Sequence, residues 1–203
     1  MPEARRIMMS TKRKISVFVL ALLPLAAAQA QDATLAFVPQ RTAVNFTLGD
    51  VLHTVHGTFV LKSGTVHFNP STNTVTGMIV VDAASGDSGS SGRDHKMHKE
   101  ILLSERYTEV TFRPDKVEGK VSQQGTSTVN VHGMFGILGA EHEIVVPAEV
   151  ELAPDHWTLK THFDVPYVKW GLKDPSTFIL RVGKTVAIDL SASGPSPWPG
   201  NPQ

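Results

Sequence analysis

SGDSGSSGRDHKMHKEILLSERYTEVTF, residues 85–112, is the one stretch of this 203-residue chain that does not read as strands. Its Gly/Ser-rich opening holds too little apolar surface to bury and predicts a mobile loop. From Arg93 to Leu103 there is no Gly or Pro, and Ile101 is the one β-branched residue, which predicts a short helix. Met97 and Ile101, four apart, share a face of that helix, while Arg93, Asp94, Lys96, Lys99 and Glu100 lie mostly elsewhere. A narrow apolar stripe of this kind needs a partner surface. Tyr107 to Phe112 returns to alternation, with Val110 and Phe112 on one side, and predicts the strand that follows the helix.

Outward from this insert the signal has period two. Val44, Phe46 and Leu48 alternate with Ala43, Asn45 and Thr47, and Phe59 and Leu61 with Thr58, Val60 and Lys62. Gly64 predicts a bulge or bend before Val66 and Phe68, and Asn69 to Asn73 a turn into Val75, Ile79 and Val81, so this half reads as a meander. After the insert come Asp115 to Val121, then Val129 and Val131. The clearest strand is Glu143 to Leu152, with Ile144, Val146, Ala148, Val150 and Leu152 on one face; Pro147, which cannot donate to a ladder, predicts an edge or bulge there. A turn at Ala153 to Asp155 leads to a hairpin partner running from Trp157 through Phe163 to Val165. After a loop from Pro166 to Thr177, a last strand carries Val186, Ile188 and Leu190. About eight or more antiparallel strands with no βαβ spacing predict an all-β fold, a sandwich or an up-and-down barrel, with one helical insert.

The N-terminus has the three parts of a cleavable export signal: Lys12, Arg13 and Lys14, an apolar run from Ile15 to Leu25, and Ala28 and Ala30. The run, broken by Pro24, falls short of the roughly 20 residues that span a bilayer. The expected division is therefore a signal at residues 1–30, one domain at 31–193 and a disordered Pro/Gly-rich tail at 194–203. Without the signal, 14 basic residues face 18 acidic ones, a charge of about −4. That balance provides no basic stripe for a phosphate backbone, so nucleic acid is not an expected partner. Cysteine is absent, which leaves core packing and sheet hydrogen bonds to hold an exported domain together.

Gly86-Asp87-Ser88-Gly89 is similar to a serine-protease nucleophile loop, but too little chain precedes Ser88 to supply two barrels with a histidine base and a buried acid. Ser88 reads as a solvated loop hydroxyl, and no catalytic constellation occurs elsewhere. His53/His56 and His95/His98 share a spacing of three without evident third and fourth ligands, so no metal or other cofactor is implied. Asn45-Phe46-Thr47 fits a glycosylation acceptor, although its setting in a strand makes the match coincidental.

Arg93, Asp94, Tyr107, Val110 and Phe112 resemble the pattern of the YceI-like family of secreted lipid-binding proteins, in which Arg-Asp is followed by a short helix and then Tyr-(Pro)-x-(Ile/Val)-x-Phe. Lys96-Met97, Leu102-Leu103 and Thr108 depart from it. The resemblance implies a lipocalin-like antiparallel barrel over about residues 33–193, and a polyisoprenoid chain, such as that of an isoprenoid quinone, as the ligand. A barrel of eight strands is about wide enough for one small ligand. The residues expected to line it are the aromatics Phe46, Phe59, Phe112, Phe135, Trp157, Phe163, Tyr167 and Trp170, then Ile144 and Val146, and Met97 and Ile101 as a lid. Any single aromatic of this set, Phe178 included, reads first as plain core, and only as a group do they fit a ligand site as well as a core. The competing reading is a structural or interaction domain, its barrel filled by its own side chains and its loops engaging a partner.

Overall fold

In the computed structural model, which describes residues 32–49, 54–178 and 181–198, ten antiparallel strands form one sheet. The expected export signal and most of the tail lie outside the described residues. The strands are β1 (Ala33–Phe37), β2 (Thr42–Gly49), β3 (Thr54–Phe59), β4 (Leu61–Asn69) and β5 (Thr74–Asp82), then after the insert β6 (Glu109–Glu118), β7 (Gly125–Ile137), β8 (Ala140–Leu152), β9 (His156–Val165) and β10 (Val186–Pro195). Ten fits the expected eight or more, with β1 ahead of the first alternating run and the alternation through Phe59 and Leu61 split at the exposed Val60 into β3 and β4.

The ladder order is β1-β4-β5-β6-β7-β8-β9-β10-β2-β3, so the first half is not the expected meander. The β2–β3 hairpin pairs with β10, at the far end of the sheet from β4, and β1 pairs with β4. The ladder does not close, and β1 and β3 are its two ends. These ends are nonetheless held together. A three-residue 3₁₀ turn (Pro39–Arg41) joins β1 directly to β2, Val60 alone separates β3 from β4, and Thr34 donates to the Pro197 carbonyl at 2.7 Å. On the outer edge of β3, Thr58 and Asp87 exchange two backbone hydrogen bonds, at 2.9 and 3.0 Å, so the insert covers an edge that would otherwise be open.

Proline accounts for two irregularities. Tyr107–Phe112 and Asp115–Val121, read as separate strands, are largely one strand, β6, whose register with β7 shifts between Pro114 and Lys116. β8 lies between β7 and β9, but its ladder with β9 stops at Ala148, so from Pro147 back it is an edge on that side, as expected, and Thr161 Oγ donates to the Pro147 carbonyl at 2.6 Å. The β7–β8 hairpin turns through Leu138 and Gly139, with φ of 52° and 73°, the two-residue geometry that matches strand twist.

The interior divides into two apolar clusters. One joins β1, β4, β5, β6, β7, β8, β9 and β10 around Trp157, Leu61 and Phe37; the other gathers Leu102, Phe135, Ile137, Val165, Tyr167 and Leu172 under the insert. The tail boundary moves: Gly194 and Pro195 belong to β10, Pro197 is fully buried and Trp198 packs on the first cluster. Phe178 is 97% exposed and belongs to neither cluster.

Candidate ligand-binding cavity

Inward alternation on every strand produces a wall of Val, Leu, Ile and Phe side chains, and these do not meet at the centre. They enclose a cavity of about 530 Å³, within the range of small-molecule sites. Its closed end is lined by residues such as Ala33, Phe68, Val75 and Leu152. Behind that end Trp157, with no exposed surface, tilts against Phe37 with ring centroids 5.0 Å apart. A Cβ on Gly194 would stand 2.3 Å from the Trp157 indole nitrogen, so glycine is what lets β10 lie over the indole.

The other end is the mouth, where the insert lies. Asp82 caps a 3₁₀ turn (Ala83–Ser85) by accepting from the Ala84 N–H at 2.8 Å. Gly86 is buried where a side chain would collide with Met97 and Phe59, and its carbonyl accepts from His98 Nε2 at 2.9 Å. The opening loop is therefore fastened, contrary to its expected mobility. The helix is shorter than predicted: α1 (Ser91–Lys96) passes into a π turn over Met97–Ile101, where the Leu102 N–H donates to the Met97 carbonyl at 2.8 Å. The five-residue step brings Leu102 onto the face of Met97 and Ile101, and all three line the cavity.

Across the mouth, the segment after β9 folds back through turns at Trp170 and Leu172. Tyr167 donates its hydroxyl to the Gly183 carbonyl at 2.6 Å, and burial, helped by Asp174, pushes its pKa up to about 12. Lys173 pairs with Glu100, and Lys96 Nζ lies 3.4 Å from the Pro175 carbonyl, so two contacts tie the insert to this segment.

Of the residues expected to line the lumen, Phe46, Phe59, Met97, Ile101, Phe112, Phe135, Val146, Phe163 and Tyr167 stand on the cavity wall. Three do not. Trp157 forms the layer behind the closed end, and Ile144 packs into the mouth cluster without reaching the cavity. Trp170 stacks on His142 at 4.4 Å and packs against Phe135 at 5.5 Å, beside the part of β8 that has no β9 partner. Alternation cannot separate a wall residue from one a layer behind it, since both point inward.

Ser88 is half-buried, not solvated. Its hydroxyl donates to Asp94 Oδ1 at 2.5 Å and accepts from Arg93 Nε at 2.8 Å, which engages it in a carboxylate and guanidinium clamp. Desolvation pushes the Asp94 carboxyl up, but the Ser88 hydrogen bonds, with His98 and Arg93 nearby, outweigh it and the net shift is downward. Arg93 and Lys96, placed away from the apolar stripe by helical periodicity, both border the cavity. Among the described residues no three His, Cys, Asp or Glu side chains cluster as metal ligands, and no helix is long and apolar enough to cross a membrane.

A family model described as the YceI-like domain matches residues 35–193, nearly the whole sheet. The chain belongs to the YceI-like family. Similar solved structures include BcnA of Burkholderia cenocepacia, 17% identical over 78% of this chain and 99% of that one, with a TM-score of 0.64. A polyisoprenoid binding domain from Saccharophagus degradans, implicated in plant cell wall breakdown, is 14% identical over 81% and 99%, with a TM-score of 0.58. The YceI protein of Campylobacter jejuni is 16% identical over 66% and 80%, with a TM-score of 0.55. No curated protein matches the chain in sequence. At these identities the likeness establishes the YceI-like fold, and the chemistry of this cavity rests on its own residues.

Proposed function

We propose that this YceI-like protein is an exported carrier that holds the hydrocarbon chain of an isoprenoid lipid, such as an isoprenoid quinone, in its cavity. The observation that carries the reading is the unfilled apolar interior of about 530 Å³; a domain that served only to display its loops would gain by packing that space. The name of the Saccharophagus degradans structure supports polyisoprenoid as the ligand class. Burial supplies the affinity: at about 0.8 kcal/mol per carbon, three isoprene units contribute about 12 kcal/mol, which leaves roughly the −8 kcal/mol of micromolar binding after an association cost of about 4 kcal/mol. Export is supported by the basic, apolar and small-residue order of residues 12–30.

Mass spectrometry of lipid extracted from natively purified protein tests the reading. An isoprenoid lipid in stoichiometric amount is the expected result. Protein that carries no lipid and takes up none of an added isoprenoid would sink it.

A further inference from the structure

We propose that the mouth end of the protein docks on an anionic lipid bilayer, through Phe178 and the cations Lys169, Lys173, Arg181 and Lys184 of the segment between β9 and β10. The docking face rests on its own exposure and charge. The carrier reading supplies its use, since a hydrocarbon ligand that passes directly between bilayer and cavity is never exposed to water.

Charge sets this segment apart. Its described residues, 166–178 and 181–185, hold those four cations and one acid, Asp174. Residues 31–203 have 14 basic and 18 acidic side chains in all, so everywhere else ten basic residues face 17 acidic ones. The insert on the other side of the mouth is balanced, with four of each sign between 83 and 108, Glu100 included. All four cations are exposed. Lys173 and Lys184 pair with Glu100 and Asp174, but exposed pairs are weak, and the pairing does not remove the excess of positive charge. The molecule is therefore polarised. An anionic surface attracts the mouth and repels the acidic remainder.

Apolar exposure falls at the same end. Phe178 is 97% exposed, where the next large apolar side chain among the described residues, Val60, is 54% exposed. The stem of its loop is fastened: the Val182 N–H donates to Ser176 Oγ at 3.0 Å and the Gly183 N–H to the Gly49 carbonyl at 2.7 Å. Asp174 is engaged at the foot of that loop, where it accepts from the Ser176 N–H at 2.9 Å. On the insert, Leu102 lines the cavity while Leu103, with φ of 49°, is 41% exposed. Left-handed backbone is unfavourable for a leucine, and here it accompanies apolar surface turned outward. An aromatic ring among lysine and arginine is a composition that settles at the headgroup level of a bilayer.

The test is flotation of the exported form, which retains every described residue, with vesicles of phosphatidylcholine or of an equal mixture of phosphatidylcholine and phosphatidylglycerol. Binding to the anionic vesicles that is lost at high salt, with little binding to the neutral ones, is the expected result. Each cation near such a surface is worth about fivefold, so Lys169→Gln/Arg181→Gln should weaken binding by about 25-fold. Phe178→Ser should weaken it by about tenfold. None of the three residues lines the cavity, so these variants should bind an isoprenoid in detergent solution as the wild type does. Because the chain has no cysteine, Phe178→Cys and Ser71→Cys each take a single polarity-sensitive label, at the mouth and in the β4–β5 turn at the closed end. Anionic vesicles should shift the emission of the first label to the blue and leave the second unchanged. Equal binding to both kinds of vesicle, or an equal response of both labels, would overturn the docking face. A shift at position 178 that grows with protein concentration in the absence of vesicles would assign the face to a second copy and overturn it as well. Protein that ignores vesicles yet binds isoprenoid loses the docking face and keeps the carrier; protein that docks as expected yet takes up no isoprenoid does the reverse. The wild-type comparison of vesicles decides even if a variant fails to fold.

Discussion

The two ends of the cavity are built from the same strands and differ in what seals them. At the closed end Trp157, Phe37 and Leu61 interlock, each buried, with aromatic and aliphatic contact alone. At the mouth the seal is an insert with half-buried Met97 and Ile101, held by a few backbone bonds, the His98 to Gly86 contact and an exposed ion pair across to Lys173. Close packing resists opening because many contacts must be lost together. A short segment held by scattered polar contacts can open locally for less than global unfolding. On the proposed carrier function, the closed end carries stability and the mouth carries exchange.

The strongest way to break this contrast is at the closed end. Trp157→Ala should lower unfolding stability by about 3–5 kcal/mol, read from denaturant midpoints, while protein that remains folded keeps its preference among lipids. A change confined to ligand binding would contradict the division. At the mouth the order reverses. Met97→Asp and Ile101→Asp put an unpaired charge on an apolar wall, and should weaken lipid binding by roughly tenfold or more, about 1.4 kcal/mol. The thermal midpoint should fall by only about 2–4 °C per kcal/mol lost. Two variants that unfold the sheet would make the insert core, and two that bind lipid normally would make it a bystander.

Tyr167 sharpens the comparison through pH. The folded state holds its phenol at about 12 against an ordinary 10.0, so the folded form keeps a proton that the unfolded chain releases first. Its contribution to stability is complete below pH 10 and is lost as pH rises through about 12. Midpoints measured from pH 9 to 12 should fall more steeply for wild type than for Tyr167→Phe, and parallel curves would remove the mouth's buried phenol from the account. The smallest effect is expected at Glu100. Lys173 holds that carboxyl below the usual range, yet both side chains are exposed, so Glu100→Gln should leave the midpoint unmoved. A faster release of bound lipid in stopped-flow exchange is the expected trace of the lost clasp.

Particular residues show how far the sequence could be read. Val44, Phe46, Val146 and Val150 point inward, as their period of two dictates, because a pleated strand has only two faces. The insert was legible as the place where that period stops. Its π turn was not, since no residue type encodes it; the step appears where Leu102 and Met97 both find apolar surface. The break at Val60 was likewise invisible within an unbroken alternation. Strand order was out of reach, because the pairing of β1 with β4 and of β2 with β10 joins residues far apart in the chain, and periodicity carries no information about which strands meet.

By itself, then, the amino-acid sequence determined an all-β antiparallel domain with an apolar interior and one helical insert, because backbone geometry and alternation are local properties. Only the tertiary structure decided that the inward side chains stop short of one another and leave a cavity, that Trp157 closes it and Trp170 stays outside it, and that Arg93 and Lys96 come to its rim. Those outcomes depend on the curvature of ten paired strands and on contacts between distant segments, which the chain acquires only when the sheet is assembled.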